Sequence, residues 1–285
     1  MISTKRALVL AGGGVAGIAW ETGFLLGLQD EAPALVQRLL THSTTLVGTS
    51  AGSTVAAQIS SGESLQGLFD RQIAATTTEL SATIDLAQLG GMIADATNDA
   101  ASAVQVRQRL GTLALKADTP PAAMRRAVIE ARLTTHEWSG WPLLISAVDT
   151  STGELRVFDR TSGTNLVDVV AASCAVPGVW PPVEIEGRLY MDGGARSLAN
   201  ADLAAGAEQV LILVPSPAET PLGVAVPDEQ LRALDPARVL MINADAVSQE
   251  AMGVNPLDPE SRIPAARAGR DQGRRVAAEI DAFWS

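Results

Sequence analysis

Near the start of this chain, a short apolar run that ends in glycine and leads into a helical pattern occurs twice. The first run, Ala7 to Ala11, stops at Gly12-Gly13-Gly14, and apolar residues at helical spacing follow from Gly17 to Gln29. The second run, Thr44 to Val47, stops at Gly48 and is again followed by a helical stretch. Short buried strands that alternate with helices are typical of a mostly parallel sheet covered on both faces. We therefore predict a three-layer α/β/α fold.

The rest of the sequence continues this alternation. Further strands are predicted at Leu143–Val148, Leu155–Phe158, Arg188–Met191, Gln209–Val214 and Arg238–Ile242. Helices are predicted at Ser53–Ile59, from Pro121 to Arg132, at Val167–Ala172 and at Ala201–Ala207. The turn residues Ser151-Thr152-Gly153 predict a hairpin between the first two of these strands.

The sequence shows no interdomain linker and no internal repeat, so we predict a single domain over residues 1–285. Residues 64–116 differ from the rest because they are rich in Ala, Thr and Gln and have weak strand signals. We expect this segment to be mainly helical, interrupted near Gly90-Gly91, and to form either a cap or ordinary covering helices. Residues 260–285 hold Ala, Arg and Glu at helical spacing, which predicts a C-terminal helix.

Composition limits the class of protein. Hydrophobic residues make up 47% of the 285 residues, which is enough for a substantial core and argues against disorder. The formal net charge of −11 disfavours binding to nucleic acid and strong electrostatic binding to anionic lipid. Cys174 is the sole cysteine, so an intrachain disulfide is excluded.

Neither a signal peptide nor a membrane-spanning segment is predicted. The apolar run that begins at Ala7 has about five residues, fewer than the roughly 7 of a signal-peptide core, and it ends in glycines. No stretch approaches the ~20 apolar residues of a spanning helix. We therefore expect a cytoplasmic protein for which peripheral membrane contact is open, and the sequence does not determine its oligomeric state.

The segment Val47-Gly48-Thr49-Ser50-Ala51-Gly52 matches the G-x-S-x-G pattern between a predicted strand and a predicted helix. A serine at such a sharp turn needs small neighbours, which Gly48 and Gly52 supply. The turn would lift the hydroxyl above the sheet, next to the positive end of the following helix. Ser50 is therefore a candidate nucleophile. The alternative is a serine that only caps the helix.

A glycine-rich loop formed by Gly12, Gly13 and Gly14, with Gly17 close behind, follows the first strand. Backbone N–H groups in such a loop can converge on one negative oxygen, as an oxyanion hole for acyl transfer requires. The spacing of Gly12, Gly14 and Gly17 also fits the dinucleotide-binding pattern G-x-G-x-x-G. That pattern expects an acidic residue at the end of the next strand, which here ends in Gly48. The loop alone leaves both interpretations open.

Asp192 follows a short predicted strand and precedes Gly193-Gly194. Strand ends are where α/β sheets place their active sites, so Asp192 is a candidate base, although Asp-Gly also occurs in ordinary turns. The chain has two histidines, His42 and His136, and neither follows the acid as the histidine of a Ser-His-Asp triad does in hydrolase order. We expect both to be surface or structural residues, which leaves a carboxylate to activate the serine.

These motifs, in this order, resemble the patatin-like phospholipase family. That family combines a glycine-rich oxyanion loop, a G-x-S-x-G elbow and a D-G-[GA] motif, which correspond here to residues 12–17, 48–52 and 192–194. Residues 172–178, Ala-Ser-Cys-Ala-Val-Pro-Gly, resemble the family's A-S-x-A-x-P segment. The resemblance implies a patatin-like fold that hydrolyses acyl esters of phospholipids or other lipids through an acyl-enzyme.

The resemblance also implies roles for individual residues. Ser50 would be the nucleophile and Asp192 the base of a dyad without histidine. The oxyanion hole would be lined by Gly12, Gly13 and Gly14, and the turns would be shaped by Gly17, Gly48, Gly52, Gly193 and Gly194. No metal or organic cofactor is expected, and the expected partner is a lipid or other acyl ester. Apart from the resemblance, the apolar and small residues of 64–116 suit a cap that lines an acyl channel, and the alternative of ordinary covering helices stays open.

One position departs from the family pattern. Where the loop often reads G-G-G-x-[RK]-G, this chain has Ala16. The missing positive charge weakens the expectation of phospholipid preference more than that of ester hydrolysis. Two alternatives stay open: a dinucleotide-binding oxidoreductase that uses Gly12, Gly14 and Gly17, and a binding protein that kept the fold without catalysis.

Overall fold

The computed structural model describes residues 4–43, 45–82, 86–216, 219–220 and 223–285. Within these residues the strands are β1 (Arg6–Leu10), β2 (Thr45–Gly48), β3 (Leu143–Asp149), β4 (Leu155–Phe158), β5 (Val183–Ile185), β6 (Arg188–Asp192), β7 (Gln209–Val214), β8 (Glu219–Thr220), β9 (Gly223–Val224) and β10 (Arg238–Asn243). The helices are α1 (Gly14–Glu31), α2 (Pro33–His42), α3 (Ala51–Ser60), α4 (Leu65–Ile73), α5 (Leu86–Thr97), α6 (Ala103–Ala114), α7 (Ala122–Arg132), α8 (Leu166–Ser173), α9 (Asp228–Arg232), α10 (Ala246–Met252) and α11 (Arg262–Trp284). Short 3-10 turns occur at Gly193–Ala195, Ala201–Ala204 and Pro259–Ser261.

The central sheet has the strand order β10-β7-β1-β2-β3-β6-β5, with β4 paired to β3 as well. Neighbours from β10 to β3 run parallel, whereas β4 and β6 run antiparallel to β3, and β5 runs antiparallel to β6. Strands β8 and β9 form a separate two-stranded ribbon. The mostly parallel sheet with helices around it confirms the predicted three-layer α/β/α fold.

Strand β1 lies in the interior of the sheet, between β7 and β2, and is buried on both faces. Leu8 and Leu10 join the apolar cluster under α1, α3 and α11, whereas Ala7 and Val9 join the cluster on the opposite face. A strand with one exposed face alternates apolar and polar residues. Because both faces of β1 are buried, its sequence is a continuous apolar run.

Most predicted elements are present, with boundaries that agree to within a few residues. Strands β4 and β7 have the predicted bounds, and the β3–β4 hairpin is confirmed. The predicted second strand begins at Thr45, and Thr44 lies outside the described residues. The predicted helix after Pro120-Pro121 is α7, with Pro121 as its N-cap rather than its first residue.

Two expectations about helices were wrong. Gly90-Gly91 lie inside α5 and do not interrupt it, because no atom comes within 4 Å of a Cβ added there and a helix tolerates glycine at a cost of about 1 kcal/mol. The breaks in residues 64–116 instead fall on either side of α5, and residues 83–85 lie outside the described residues. The helix predicted at Ala201–Ala207 is a 3-10 turn at Ala201–Ala204, and α2 was not predicted.

Helices α1 and α11 pack with their backbones in contact. A Cβ added at Gly23 or Gly27 of α1 would lie 2.0 Å from a carbonyl oxygen of α11. A Cβ added at Gly269 or Gly273 of α11 would lie 2.3 or 2.2 Å from a carbonyl oxygen of α1. The four glycines therefore let the C-terminal helix fix the position of α1, which begins at the glycine-rich loop.

Within the described residues, no helix is both long and apolar enough to cross a membrane.

Candidate active site

Ser50 lies at a strained turn between β2 and α3. Its backbone has φ 52° and ψ −115°, a conformation that costs a non-glycine residue about 1–3 kcal/mol. A Cβ added at Gly48 would lie 2.6 Å from Ser53 Cα, and one added at Gly52 would lie 2.0 Å from the Leu10 carbonyl oxygen. Both glycines are thus required for the turn, as the sequence predicted. The Ser50 side chain makes no capping hydrogen bond, which removes the reason to regard it as a simple N-cap.

The last residue of α8 and the two residues after it hold the backbone of both candidate residues. The Ser50 N–H donates to Ser173 Oγ at 2.9 Å, and the Cys174 thiol donates to the Ser50 carbonyl oxygen at 3.2 Å. One residue further on, the Ala175 carbonyl oxygen accepts the Asp192 N–H at 2.9 Å. Three consecutive residues of the Ala-Ser-Cys-Ala-Val-Pro-Gly segment therefore fix the elbow and the aspartate relative to each other.

Asp192 ends β6 and is buried, with 4% of its surface exposed. Its Oδ1 accepts the Gly194 N–H at 2.7 Å, whereas its Oδ2 is buried and has no hydrogen-bond partner among the residues described. Burial raises the pKa of Asp192 to about 7, although the Gly194 N–H, the Ser50 hydroxyl and the positive charge of Arg125 all lower it. Ser50 and Asp192 are thus brought into one buried site.

The Ser50 hydroxyl is near enough to the Asp192 carboxylate to lower its pKa, yet no hydrogen bond of ordinary geometry joins the two side chains. Catalytic hydrogen bonds are often long or poorly aligned without substrate and tighten when it binds. The free Oδ2 lone pairs are therefore available to accept a proton.

The glycine-rich loop runs from the end of β1 to the start of α1 and lies against the elbow. A Cβ added at Gly12 would lie 3.3 Å from Ser50 Cβ. The Gly12 N–H donates to the Leu198 carbonyl oxygen at 2.8 Å, so Gly12 lines the site without offering a free donor. The N–H groups of Gly13, Gly14 and Ala51 have no acceptor among the described residues. These three groups sit at the N-terminal ends of α1 and α3, where helix dipoles favour negative charge.

The loop is covered by protein. A Cβ added at Gly13 would lie 2.5 Å from Pro215 Cγ, and one added at Gly14 would lie 2.6 Å from the Pro256 carbonyl oxygen. That same carbonyl oxygen accepts the Ala16 N–H at 2.9 Å. Residues 252–259, to which the sequence assigned no role, therefore form part of the wall beside the loop.

A buried polar network joins the elbow to the turn after Asp192. Thr49 Oγ1 and Ser146 Oγ lie 2.8 Å apart, and Asn200 Nδ2 donates to the carbonyl oxygens of Ser197 at 2.7 Å and Gly193 at 3.2 Å. Asn200 Nδ2 is also 3.2 Å from Thr49 Oγ1. Sequence reasoning missed this network, because no local pattern marks the asparagine.

Sequence reasoning also missed two large side chains beside Ser50. Arg125 and Trp180 line the same cavity of about 10 Å³ as Ser50, and both are almost fully buried. The guanidinium carbon of Arg125 lies 3.9 Å from the centre of the Trp180 ring. The described side chain of His136 is by contrast at the surface, 44% exposed, as expected.

Across the part of the chain that the structure describes, no group of three or more His, Cys, Asp or Glu side chains could hold a metal ion.

The fold and site together define a three-layer α/β/α protein with a serine at a strand–helix elbow beside a buried aspartate. The sequence model of the patatin-like phospholipase family matches residues 8–205. The chain therefore belongs to the patatin-like phospholipase family, and membership implies lipid acyl hydrolase activity. No curated protein sequence matches the chain.

Three solved structures align with most of this chain. VipD from Legionella pneumophila aligns over 99% of this chain and 67% of its own, with 12% identity and a TM-score of 0.45. The type III effector protein ExoU aligns over 98% of this chain and 54% of its own, with 15% identity and a TM-score of 0.43. A complex of ExoU with SpcU from Pseudomonas aeruginosa aligns over 95% of this chain and 53% of the ExoU chain, with 15% identity and a TM-score of 0.38. This chain thus spans about half of the ExoU chain.

Proposed function

We propose that this protein hydrolyses acyl esters of lipids through an acyl-enzyme on Ser50, with Asp192 as general base. The observation that carries the proposal is the shared buried site: a serine on a strained elbow next to a carboxylate whose pKa is raised to about 7. A base is most effective when its pKa lies near the working pH. The cytoplasmic location and the single-domain organisation stay predictions.

The proposed chemistry follows from the positions of the polar groups. Oδ2 of Asp192 accepts the Ser50 proton while the serine oxygen attacks the ester carbonyl carbon. The N–H groups of Gly13, Gly14 and Ala51 stabilise the oxyanion that forms on the former carbonyl oxygen. The proton on Asp192 then passes to the leaving alcohol as the acyl-enzyme forms. In the second half, Asp192 removes a proton from water, and the water oxygen attacks the acyl carbon. The proton then passes from Asp192 to the Ser50 oxygen as the acid is released.

The oxyanion donors in this proposal differ in part from those implied by the resemblance. Gly12 is retained as a lining residue whose small size lets the loop approach Ser50, because its N–H is already bonded. Ala51 is added, because the N–H of the residue after the nucleophile is a common oxyanion donor at a G-x-S-x-G elbow. Loss of one such donor usually lowers kcat about 10²- to 10³-fold.

Of the alternatives, the dinucleotide-binding oxidoreductase gains no support from the structure. Pro215 and Pro256 lie against the glycine-rich loop, so at those points the space next to the loop is filled by protein. The reactivity of Ser50 distinguishes the hydrolase from a binding protein, because Ser50 would be inert in a protein without catalytic activity.

The test combines a fluorophosphonate label with two variants. Wild-type protein should be labelled on Ser50, located by peptide mapping, and should hydrolyse a p-nitrophenyl ester. Ser50→Ala should lose both properties, and Asp192→Asn should lose turnover while the fold, followed by circular dichroism, persists. Ser60→Ala, a buried serine at the end of the same helix α3, is the matched control and should keep both. An unlabelled wild-type Ser50, or full turnover in either site variant, would reject the proposal.

A further inference from the structure

Helix α7 carries Arg125 into the protein interior beside Ser50. Arg125 is 4% exposed, and its Nε and Nη1 atoms are buried without a partner. Within the described residues, its guanidinium makes no hydrogen bond and no ion pair at all. It stacks on the Trp180 ring, whose centre lies 3.9 Å from the guanidinium carbon. Stacking of this kind uses the face of the guanidinium and leaves the N–H donors in its plane free.

The neighbouring arginine on the same face of α7 is in a different state. Arg132 donates to both carboxylate oxygens of Glu79, at 2.7 and 2.6 Å, and so is neutralised locally. Burial, followed by repulsion from Arg132, lowers the pKa of Arg125 to about 9, so this side chain still carries its charge at neutral pH. The cavity at Ser50 therefore holds a cation that lacks a bonded counterion within the described residues.

A buried guanidinium without hydrogen bonds is costly, and such groups are normally paired or bound to an anion. We propose that Arg125 forms an anion subsite of the Ser50 cavity and binds the phosphate of a phosphate-bearing acyl ester. This inference rests on the proposed function of Ser50 and assigns the residue that selects its substrate. The planar N–H fork of arginine matches two oxygens of one phosphate group, which a single N–H donor does not.

The positions of the two side chains suit such a substrate. Ser50 and Arg125 line one cavity, so a substrate that opens this cavity and reacts at Ser50 would place a nearby phosphate beside Arg125. In a glycerophospholipid an acyl ester and the phosphate ester are on neighbouring glycerol carbons, which keeps the two groups close.

A larger polar cavity adjoins this one. It has a volume of about 350 Å³ and shares Ile18 and Arg132 with the Ser50 cavity. Its wall includes the polar side chains of Gln58, Gln72 and Arg262. A lining of this kind fits the polar group beyond the phosphate better than an acyl chain.

The test compares two monomeric esters that differ only in the phosphate: dibutyroylglycerol phosphate and dibutyroylglycerol. We expect Arg125→Gln to lower the ratio of kcat/KM for the phosphate ester to that for the neutral ester on the order of 10- to 100-fold, mainly through KM. Arg126→Gln removes the same charge from the adjacent, surface position on α7 and should keep the wild-type ratio. Equal losses on both esters would overturn the subsite and would indicate a role in catalysis or folding.

A conservative variant separates charge from geometry. Arg125→Lys keeps the positive charge but not the planar fork, so it should recover part of the ratio lost in Arg125→Gln. If Arg125→Gln does not fold, as judged by circular dichroism, the comparison is made between Arg125→Lys and wild type. An Arg125→Lys ratio equal to that of wild type would then contradict recognition by two guanidinium donors.

Binding without turnover provides an independent measurement. Calorimetry with dibutyroylglycerol phosphate on Ser50→Ala should give at least about 10-fold tighter binding than on Ser50→Ala/Arg125→Gln. Inorganic phosphate as a second probe shows whether phosphate alone binds or only phosphate joined to glycerol. Equal binding by the two proteins overturns the subsite even if Ser50 is a nucleophile. Conversely, if fluorophosphonate does not label Ser50 in the wild-type protein, the hydrolase proposal is rejected. The difference in binding between Ser50→Ala and Ser50→Ala/Arg125→Gln still tests the role of Arg125.

Discussion

Asp192 is an acidic side chain in surroundings that oppose its charge. Burial raises its pKa to about 7, against the ordinary 3.8, although the Gly194 N–H, the Ser50 hydroxyl and the positive charge of Arg125 from α7 lower it. One of its oxygens is held by the Gly194 N–H, and the other has no partner in the described part of the chain. A carboxyl group in this state changes its protonation near neutral pH rather than in acid.

The pH dependence of turnover follows from this pKa. We expect kcat/KM for a neutral p-nitrophenyl ester to rise with pH through a midpoint near 7 and then to level off, because only the deprotonated Asp192 accepts the Ser50 proton. A pH–rate profile from about pH 5 to about pH 9 measures this. A midpoint near 3.8, the ordinary value for aspartate, would show that Asp192 does not act as a buried base.

The stability of the folded protein should also depend on the protonation of Asp192. Turnover needs the deprotonated carboxylate, whereas stability is greatest when the carboxyl group is protonated. The folded state raises the pKa of Asp192, so between pH 3.8 and about 7 the folded protein binds more protons than the unfolded chain, and stability falls as pH rises through this range. Each pH unit corresponds to about 1.4 kcal/mol. Asp192→Asn removes this loss and should raise the free energy of unfolding at pH 8 by a few kcal/mol. Urea unfolding of both proteins at that pH checks the prediction, and a less stable variant would contradict it.

At the scale of elements, the pairing of α1 with α11 supports the site. Helix α1 begins at the glycine-rich loop, and its residues from Val15 to Leu28 are all buried. Helix α11 contacts it along the glycine pairs Gly23/Gly27 and Gly269/Gly273. The C-terminal helix thus holds the element that presents the proposed oxyanion donors.

Gly27→Ala should therefore destabilise the protein. Its Cβ would lie 2.0 Å from the Arg270 carbonyl oxygen, so the helices must separate, at a cost of about 1–3 kcal/mol or more. Gly90→Ala in α5 is the matched control, because among the described residues no atom outside the backbone of α5 lies within 4 Å of the added Cβ. That variant should be more stable by about 0.5–1 kcal/mol. Thermal unfolding of the two variants distinguishes them, and an unchanged melting temperature for Gly27→Ala would refute the close contact.

At the scale of the whole molecule, the cavity at Ser50 is nearly closed. Its volume of about 10 Å³ has room for roughly one water molecule, which is too little for an acyl ester. Leu257 lines the cavity, and its Cδ2 would be 2.8 Å from a Cβ added at Gly14. Asn255 Nδ2 donates to the Ala82 carbonyl oxygen at 2.8 Å, which joins this wall to residues 64–116. Part of this wall must move for substrate to enter, while the role of residues 64–116 as an acyl-channel cap stays a prediction.

Leu257→Ala should enlarge the entrance and raise kcat/KM for a small monomeric p-nitrophenyl ester several-fold. The same change removes a buried side chain and should cost about 2–5 kcal/mol of stability. Val254→Ala, in the same segment but 89% exposed, should change neither property. Steady-state kinetics with thermal unfolding tests the pair, and a Leu257→Ala enzyme that is slower on the small ester would show that the wall does not limit entry.

Much of the fold could be predicted because local patterns and tertiary structure agree. The apolar runs of β1 and β7 fit buried parallel strands, and the glycines around Ser50 fit a turn without space for side chains. The breaks around α5 were misplaced because glycine marks a turn only where the backbone needs it. For Arg125 a signal was present, since helical spacing puts it on one face with Val128, Ile129 and Arg132, all of them buried.

The sequence by itself determined the alternation of strands and helices, the sharp turn at Ser50 and the order of the three motifs, because these depend on local backbone preferences and on hydrophobic spacing. Tertiary structure decided which N–H groups stay free, since Gly12 is bonded to Leu198 while Gly13 and Gly14 are not. It also decided the pKa of Asp192 and the unpaired state of Arg125. Burial and partners arise from segments far apart in the chain, and no local pattern encodes them.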